Sequence, residues 1–420
     1  MNRKTANWTQ LFAANFFGIV NDNFLKNCII FTGIGWTLPT WLNLSLLTTL
    51  VSAGLIVPYL LFSPLSGRIA VKYAKQSVFR WCKAAEFPIM ALAGIALWKE
   101  WIFVSILAVF VMGVQSCLYS PAKYGLVRDI GGENGISFGS GMLETMAFLG
   151  ILAGMVIASF LADYGSVGWM CTLFFVFAGC GYLLARGIRV KELPPEEDPQ
   201  HTSINPIRFL RQSYRFAKQY PDINIAVFGI SMFWLMGGML QMNLIIHCRL
   251  ALGASFFSTG MVMAMAATGI ALGCGLAGKL SRKERHLHLI VIGLVGMVFF
   301  LLLIVAFNPS LYWFGGCVFL FALMGGLFEV PCLALIQQAA VGRRLGNVLA
   351  YMNFVTFIFI LLGSLLFALI TRLTDENSML VFMVIAMLCM LTLYVMARSF
   401  LNRRGDVRLT LGSREKPTTR

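Results

Sequence analysis

The sequence predicts an all-α integral membrane protein with twelve transmembrane helices in two pseudo-symmetric six-helix bundles, and three observations predict it. At 58% hydrophobic and 12% charged over 420 residues, the chain is far more apolar than a soluble domain, where about 25% of residues are charged. Its hydropathy divides into stretches of bilayer length, roughly 20 apolar residues each. Its longest polar segment, 187–221, leaves six such stretches on either side, and landmarks of the first six recur in the second.

The first span, 8–36, is the one that lipid would penalise, because it holds Asn15, Asn21, Asp22, Asn23 and Lys26. An ionised residue at mid-membrane costs about 2.5–3.5 kcal/mol on insertion scales, so it normally faces a bundle interior or a water-filled cavity. Asp22 and Lys26 stand four apart on one helix face, acid before base, and are expected to neutralise each other. The cluster reads as part of a transport pathway or as polar glue between helices. The span is too long for a cleaved signal peptide and lacks its small-residue site, so it is expected to stay as a helix.

Spans 44–65, 77–98, 101–122, 137–162 and 167–186 complete the first half. In the third, Lys83 and Glu86 are three apart on one face; with Asp22 and Lys26 they form either a charged cavity wall or an internally neutral structural network. Lys123 is placed at the mouth of the fourth helix, where an ammonium can meet a lipid phosphate or snorkel to the interface. Glu144, a lone acid in the apolar fifth span, suits a proton, a sodium ion or a substrate amine.

The linker begins K-E-L-P-P-E-E-D-P-Q, a poor helix former. From Pro206 to Tyr220 it carries Arg208, Arg211, Arg215 and Lys218 at helical spacing beside an apolar stripe of Ile207, Leu210, Tyr214 and Ala217. This predicts a basic amphipathic helix at the membrane surface, bracing the halves or recognising anionic lipid. The organisation is therefore 1–187, N-terminal bundle; 188–221, cytoplasmic linker; 222–398, C-terminal bundle; and 399–420, basic cytoplasmic tail.

The second half comprises spans 222–246, 254–280, 287–307, 311–335, 345–372 and 378–397. Glu329 near the end of the tenth is a second lone acid, either functional or solvated, and Asn347 and Asn353 in the eleventh face a cavity or join helices. Gly67-Arg68 matches Gly275 with Lys279, Arg282 and Lys283, and Pro121 matches Pro331, both placed at the ends of their helices. Parallel halves of this kind commonly hold substrate at their midplane interface.

Charge fixes the expected orientation. Of 33 Lys and Arg, 28 fall to the side of the termini, against Lys99, Arg249 and Arg372 opposite, so both termini are expected in the cytoplasm. The net charge of +15 is dispersed among loops, which fits retention there and not nucleic-acid binding. The ten cysteines contain no C-x-x-C and read as small core residues. G-C-G-L-A-G-K-L at 273–280 fails as a P-loop, because Leu280 replaces the required Ser or Thr and no strand precedes it. The four histidines offer neither an acyltransferase-like nor a zinc-binding pattern. No enzyme is predicted.

Twelve helices, two halves and the G-x-x-x-x-x-x-x-K loop after helix two resemble the major facilitator superfamily across essentially the whole chain. Within it, the first-helix D-N, S-P-L-S-G-R-I-A-V-K-Y-A-K, Y-S-P-A-K-Y-G at 119–125, G-M-L-E at 141–144 with A-D at 162–163, and F-W at 233–234 are similar to the bacterial lysophospholipid transporter family. The resemblance implies a secondary transporter, or flippase, that moves lysophospholipid to the cytoplasmic leaflet of a bacterial inner membrane by alternating access, for a cytoplasmic acyltransferase to reacylate. Another amphiphilic or anionic solute is the competing expectation. No cofactor is expected beyond a coupling proton or sodium ion, and a monomer among membrane lipids is expected. Two positions depart from the family's pattern. Val71 stands where the superfamily loop has an aspartate that locks helix ends, and Gln241 stands where the family has an arginine to face an anionic group.

Overall fold

A computed structural model describes residues 2–36, 39–42, 44–195, 203–281 and 286–412. Among these residues there are thirteen α-helices and no strand. The first bundle is α1 (Arg3–Thr32), α2 (Leu44–Lys72), α3 (Lys75–Trp98), α4 (Ile102–Gly131), α5 (Ile136–Tyr164) and α6 (Val167–Gly187). After α7 (Pro206–Ala217), the second is α8 (Ile223–Ile246), α9 (Phe256–Leu280), α10 (His286–Phe307), α11 (Leu311–Gln338), α12 (Leu345–Leu373) and α13 (Ser378–Gly412). Eleven of the long helices are apolar enough to cross a membrane. The remaining one, α1, carries the Asn15–Lys26 cluster, yet at 30 residues it is about 45 Å long and packs along α5 and α6.

Several helix ends differ from expectation. Pro121 and Pro331 lie inside α4 and α11, which continue to Gly131 and Gln338. Membrane helices tolerate proline where neighbouring groups satisfy the freed backbone, and the continuation carries Lys123 away from the expected helix mouth into the bundle. α2 likewise contains Pro58 and Pro64 and runs to Lys72, so only Tyr73 and Ala74 separate it from α3. The last helix extends to Gly412, so the tail expected from 399 is helical that far; its residues 413–420 lie outside the described residues, as do Arg282, Lys283 and His201.

Buried hydrophobic side chains gather into two clusters in the first bundle, around Phe24–Phe174 and around Leu11–Leu126, and one drawn mainly from the second. The halves meet along two seams, α2 against α12 and α5 against α9. The second is close because Gly141 faces Cys274 and Gly278: a Cβ at Gly141 would run into the carbonyl of Cys274. At the first, Gly67 lies against Asn347.

α7 is capped by Asn205, whose side chain accepts from the N–H groups of Ile207 and Arg208 at 3.0 and 3.2 Å. Its buried face is Phe209, Ser213 and Ala217; of the expected stripe Ala217 is buried and Leu210 half-buried, whereas Ile207 is 79% and Tyr214 51% exposed. The rotation follows from Phe209 seating edge-on against Phe354 of α12. α7 also touches α2 and α8 and so contacts both halves.

The polar contacts between halves concentrate at the end of the bundle that carries the termini. Arg343, just before α12, donates from Nε to the carbonyl of Val71 at 3.1 Å, and also to Tyr73 O and, at 3.4 Å, to Glu192. Glu192 in turn accepts from the N–H groups of Lys75 and Gln76 at 2.7 and 2.9 Å, satisfying free donors at the positive N-terminus of α3. Lys75 pairs with Asp129 at 2.5 Å, and Arg128 donates to Ala339 O at 2.8 Å. Arg343 of the second half thus grips backbone carbonyls at the end of α2 in the first.

Candidate functional site

A cavity of about 350 Å3 lies between the halves, above that sealed end. Its polar wall comes from six helices: Asp22 and Asn23 of α1, Lys83 and Glu86 of α3, a ladder on α4, Glu144 of α5, Glu329 of α11, and Asn353 of α12. The α4 ladder is Gln115/Ser116, Tyr119/Ser120 and Lys123/Tyr124, spaced by four so that successive rungs share a helix face.

Lys83 and Glu86 form an ion pair at 2.5 Å, each side chain 1% exposed. Lys83 reaches this place because position 18 of α1 is glycine, and a Cβ there would overlap its Nζ. Gln115 donates to Glu86 at 3.3 Å and to Cys82 O at 2.9 Å, tying α4 to α3. Ser116 donates to Asp22 at 2.8 Å. The Lys83 ammonium also stands 4.9 Å from the centre of the Tyr119 ring, near enough for cation–π attraction.

Deeper in the same cavity, Tyr124 donates to Glu144 at 2.6 Å. Lys123 makes no ion pair among the described residues; its ammonium lies 4.7 and 5.8 Å from the ring centres of Tyr124 and Tyr119. Glu329 meets the Cys274 thiol at 3.9 Å. Asn353 donates to Ser120 at 2.8 Å across the halves. Ile19, Leu55, Ile151, Met352 and Ile360 supply apolar wall, and Tyr59 stacks on Phe357 between halves with centroids 4.0 Å apart. One chamber is thus lined by both charged and apolar side chains. Among the described residues no group of three His, Cys, Asp or Glu side chains could hold a metal ion.

The structure brings together Asp22, Asn23, Lys83, Glu86, Lys123, Glu144, Glu329 and Asn353. Three expected site residues stand apart. Lys26 is half-buried, outside the cavity wall, and not paired with Asp22, which is turned to Ser116 instead. Asn15 is fully buried: its amide donates to Leu143 O at 3.3 Å and its carbonyl accepts from Tyr119, so it joins α1 to α5 and α4. Gln241 is exposed and away from the cavity. Glu329 is not solvated at a helix end, because α11 extends nine residues past it and encloses it. Gln115, Ser116, Tyr124 and Trp234 were not among the expected site residues; the four-residue spacing of polar side chains through an apolar span is the signal that finds those on α4.

The profile of the Major Facilitator Superfamily matches residues 11–364. The chain is 27% identical over 351 residues to the lysophospholipid transporter LplT of Pectobacterium carotovorum, covering 81% of this chain and 80% of that one. It is 26% identical over 363 residues to LplT of Escherichia coli K12, covering 84% and 87%. Among solved structures, the human organic anion transporter MFSD10 superposes with a TM-score of 0.78 at 16% identity, covering 94% of this chain and all of that one. The Escherichia coli fucose:proton symporter FucP superposes with a TM-score of 0.71 at 13% identity, covering 93% and 97%. At these identities the structural likeness speaks for the fold.

Proposed function

This chain belongs to the major facilitator superfamily, as a transporter and not an enzyme, and on that footing we propose that it moves lysophospholipids across a bacterial inner membrane by alternating access. The observation that carries the reading is the cavity itself, lined by both charged and apolar side chains and set between the halves of a chain similar over most of its length to lysophospholipid transporters. The head group sits among Asp22, Glu144, Glu329 and Lys123, and the single acyl chain lies along the apolar wall.

With both termini in the cytoplasm, as the distribution of Lys and Arg favours, the sealed end is the cytoplasmic one and substrate enters from the outer side. Rocking of the halves about the cavity then delivers lysolipid to the inner leaflet, where a cytoplasmic acyltransferase consumes it and keeps the gradient directed inward. Purified protein in liposomes is expected to internalise labelled lysophospholipid above empty vesicles. Failure to do so by protein that transports another solute overturns the reading. Varying sodium, pH and membrane potential separately in the same assay identifies the driving force.

A further inference from the structure

We propose that α7 is a docking surface for anionic phospholipid in the leaflet on the side of the termini. This site is separate from the central cavity and does not depend on what that cavity carries.

The mounting of α7 puts it beside the bundle and not beneath it. Phe209 packs edge-on against Phe354 with ring centroids 6.0 Å apart, and the Arg344 guanidinium lies 5.2 Å from the centre of the Phe216 ring. From Arg344 to Phe354 is about 15 Å of helix, so α7 lies alongside the first turns of α12. Asn224 of α8 completes the mounting: it donates to Tyr214 O at 3.4 Å and accepts from Tyr351 of α12 at 3.1 Å. At 29 residues, α12 is about 43 Å long, whereas the hydrocarbon core of a bilayer is about 30 Å thick. Its first turns therefore extend into the head-group layer, and α7 stands at that level.

The face of α7 turned away from the bundle is both apolar and cationic. Ile207, Arg211, Tyr214 and Lys218 follow one another at steps of four, three and four, which places them on one side of the helix, opposite the buried Phe209 and Ser213. Ile207 is 79% exposed, and Ile204, just before the Asn205 cap, is 56% exposed. Arg208, Arg211, Arg215 and Lys218 are all exposed. No Asp or Glu occurs from Ser203 to Pro221, so the segment holds four cations and no acid of its own.

A helix with this mixture suits the boundary between head groups and acyl chains. Its apolar side chains enter the boundary, and its long basic ones reach phosphate while their stems stay in apolar surroundings. An acidic soluble protein would answer the charge alone, whereas at the level of the head groups lipid answers both charge and apolar surface. A phosphatidylcholine head group carries its own cation beside the phosphate. A phosphatidylglycerol head group does not, and each Lys or Arg near such a surface adds to the attraction. Since α7 touches α2 as well as α12, lipid held there sits where the two halves meet.

The test titrates the purified full chain in neutral detergent with dioctanoyl phosphatidylglycerol and with dioctanoyl phosphatidylcholine, counting bound lipid by native mass spectrometry. Phosphatidylglycerol is expected to bind at least about tenfold more tightly, the scale that several basic side chains near an anionic surface supply. The triple variant Arg211→Gln, Arg215→Gln and Lys218→Gln is expected to bring the two lipids within about threefold of each other. Ile207→Glu, which sets an acid and removes an apolar side chain on the same face, is expected to weaken phosphatidylglycerol binding at least about fivefold. Both variants change exposed side chains only, which substitutions tolerate well. Equal binding of the two lipids, binding of neither, or a preference unaltered in both variants overturns the docking surface. Hexaglutamate peptide is titrated alongside: binding of that peptide without phosphatidylglycerol would assign the face to a protein partner and overturn the lipid proposal.

Discussion

Arg343 Nε and the carbonyl of Val71 stand 3.1 Å apart, a hydrogen bond from the second half to the end of α2 in the first. The last carbonyls of a helix lack intrahelical donors and sit at its negative pole, so an arginine there is favoured twice. Glu192 holds the same guanidinium while capping α3, so one residue ties the linker, α3 and the second half together.

Arg343→Ala is expected to loosen the sealed end. Withdrawing this donor from Glu192 and from the carbonyls of Val71, Tyr73 and Leu193 costs about 1–3 kcal/mol, and each 1.4 kcal/mol is tenfold in a two-state equilibrium. A cysteine introduced by Ser120→Cys, on the inter-half contact with Asn353, should then label at least about fivefold faster from the side of the termini. An unchanged labelling rate would show that Arg343 does not hold the halves.

Asp22→Asn keeps a hydrogen-bond acceptor for Ser116 but removes the charge at the cavity wall. Lysolipid uptake is expected to fall by about tenfold, the effect of losing one charge-assisted contact, with folded protein still recovered. Natural uptake rates in this variant would take Asp22 out of the pathway.

Lys26→Ala is expected to leave uptake within about twofold, the range of substitutions that break no partnered contact. Lys26 neither lines the cavity nor pairs with Asp22. A loss as large as that of Asp22→Asn would restore it as the counter-ion of Asp22.

Lys83→Met strands the Glu86 carboxylate, which is 1% exposed. Breaking such a pair costs about 3–5 kcal/mol, whereas replacing both partners is far milder. The single variant should therefore unfold at a clearly lower temperature in detergent than the double variant Lys83→Met with Glu86→Leu. Equal losses in the two would show that the stranded Glu86 carboxylate is not what destabilises the single variant.

Much of this was legible from the chain. Long apolar spans, the polar interruption at 187–221 and the matched landmarks near 67 and 275 follow from local composition, because a segment in lipid must satisfy its backbone internally and so must be a helix. Asp22, Lys83, Glu86, Glu144 and Glu329 were legible as functional candidates for the same reason, since a charge within such a helix needs an interior address. Helix ends were less legible. Proline at 121 and 331 reads as a stop in water, but in this bundle α4 and α11 continue past it, which changed the address of Lys123 and Glu329.

The sequence by itself determined that this is a twelve-helix membrane protein in two halves and which buried charges require partners, because both depend on the cost of moving groups from water to lipid. Only the tertiary structure decided who the partners are. A helix of 3.6 residues per turn brings Lys26 to the face of Asp22, yet Asp22 turned to Ser116, 94 positions away. It also showed Asn15 as a joint between helices and assembled Glu144, Glu329 and Lys123 around one space. Those choices depend on how helices rotate about their axes and how closely Gly18, Gly67 and Gly141 let them approach, and the packing of the whole bundle sets both.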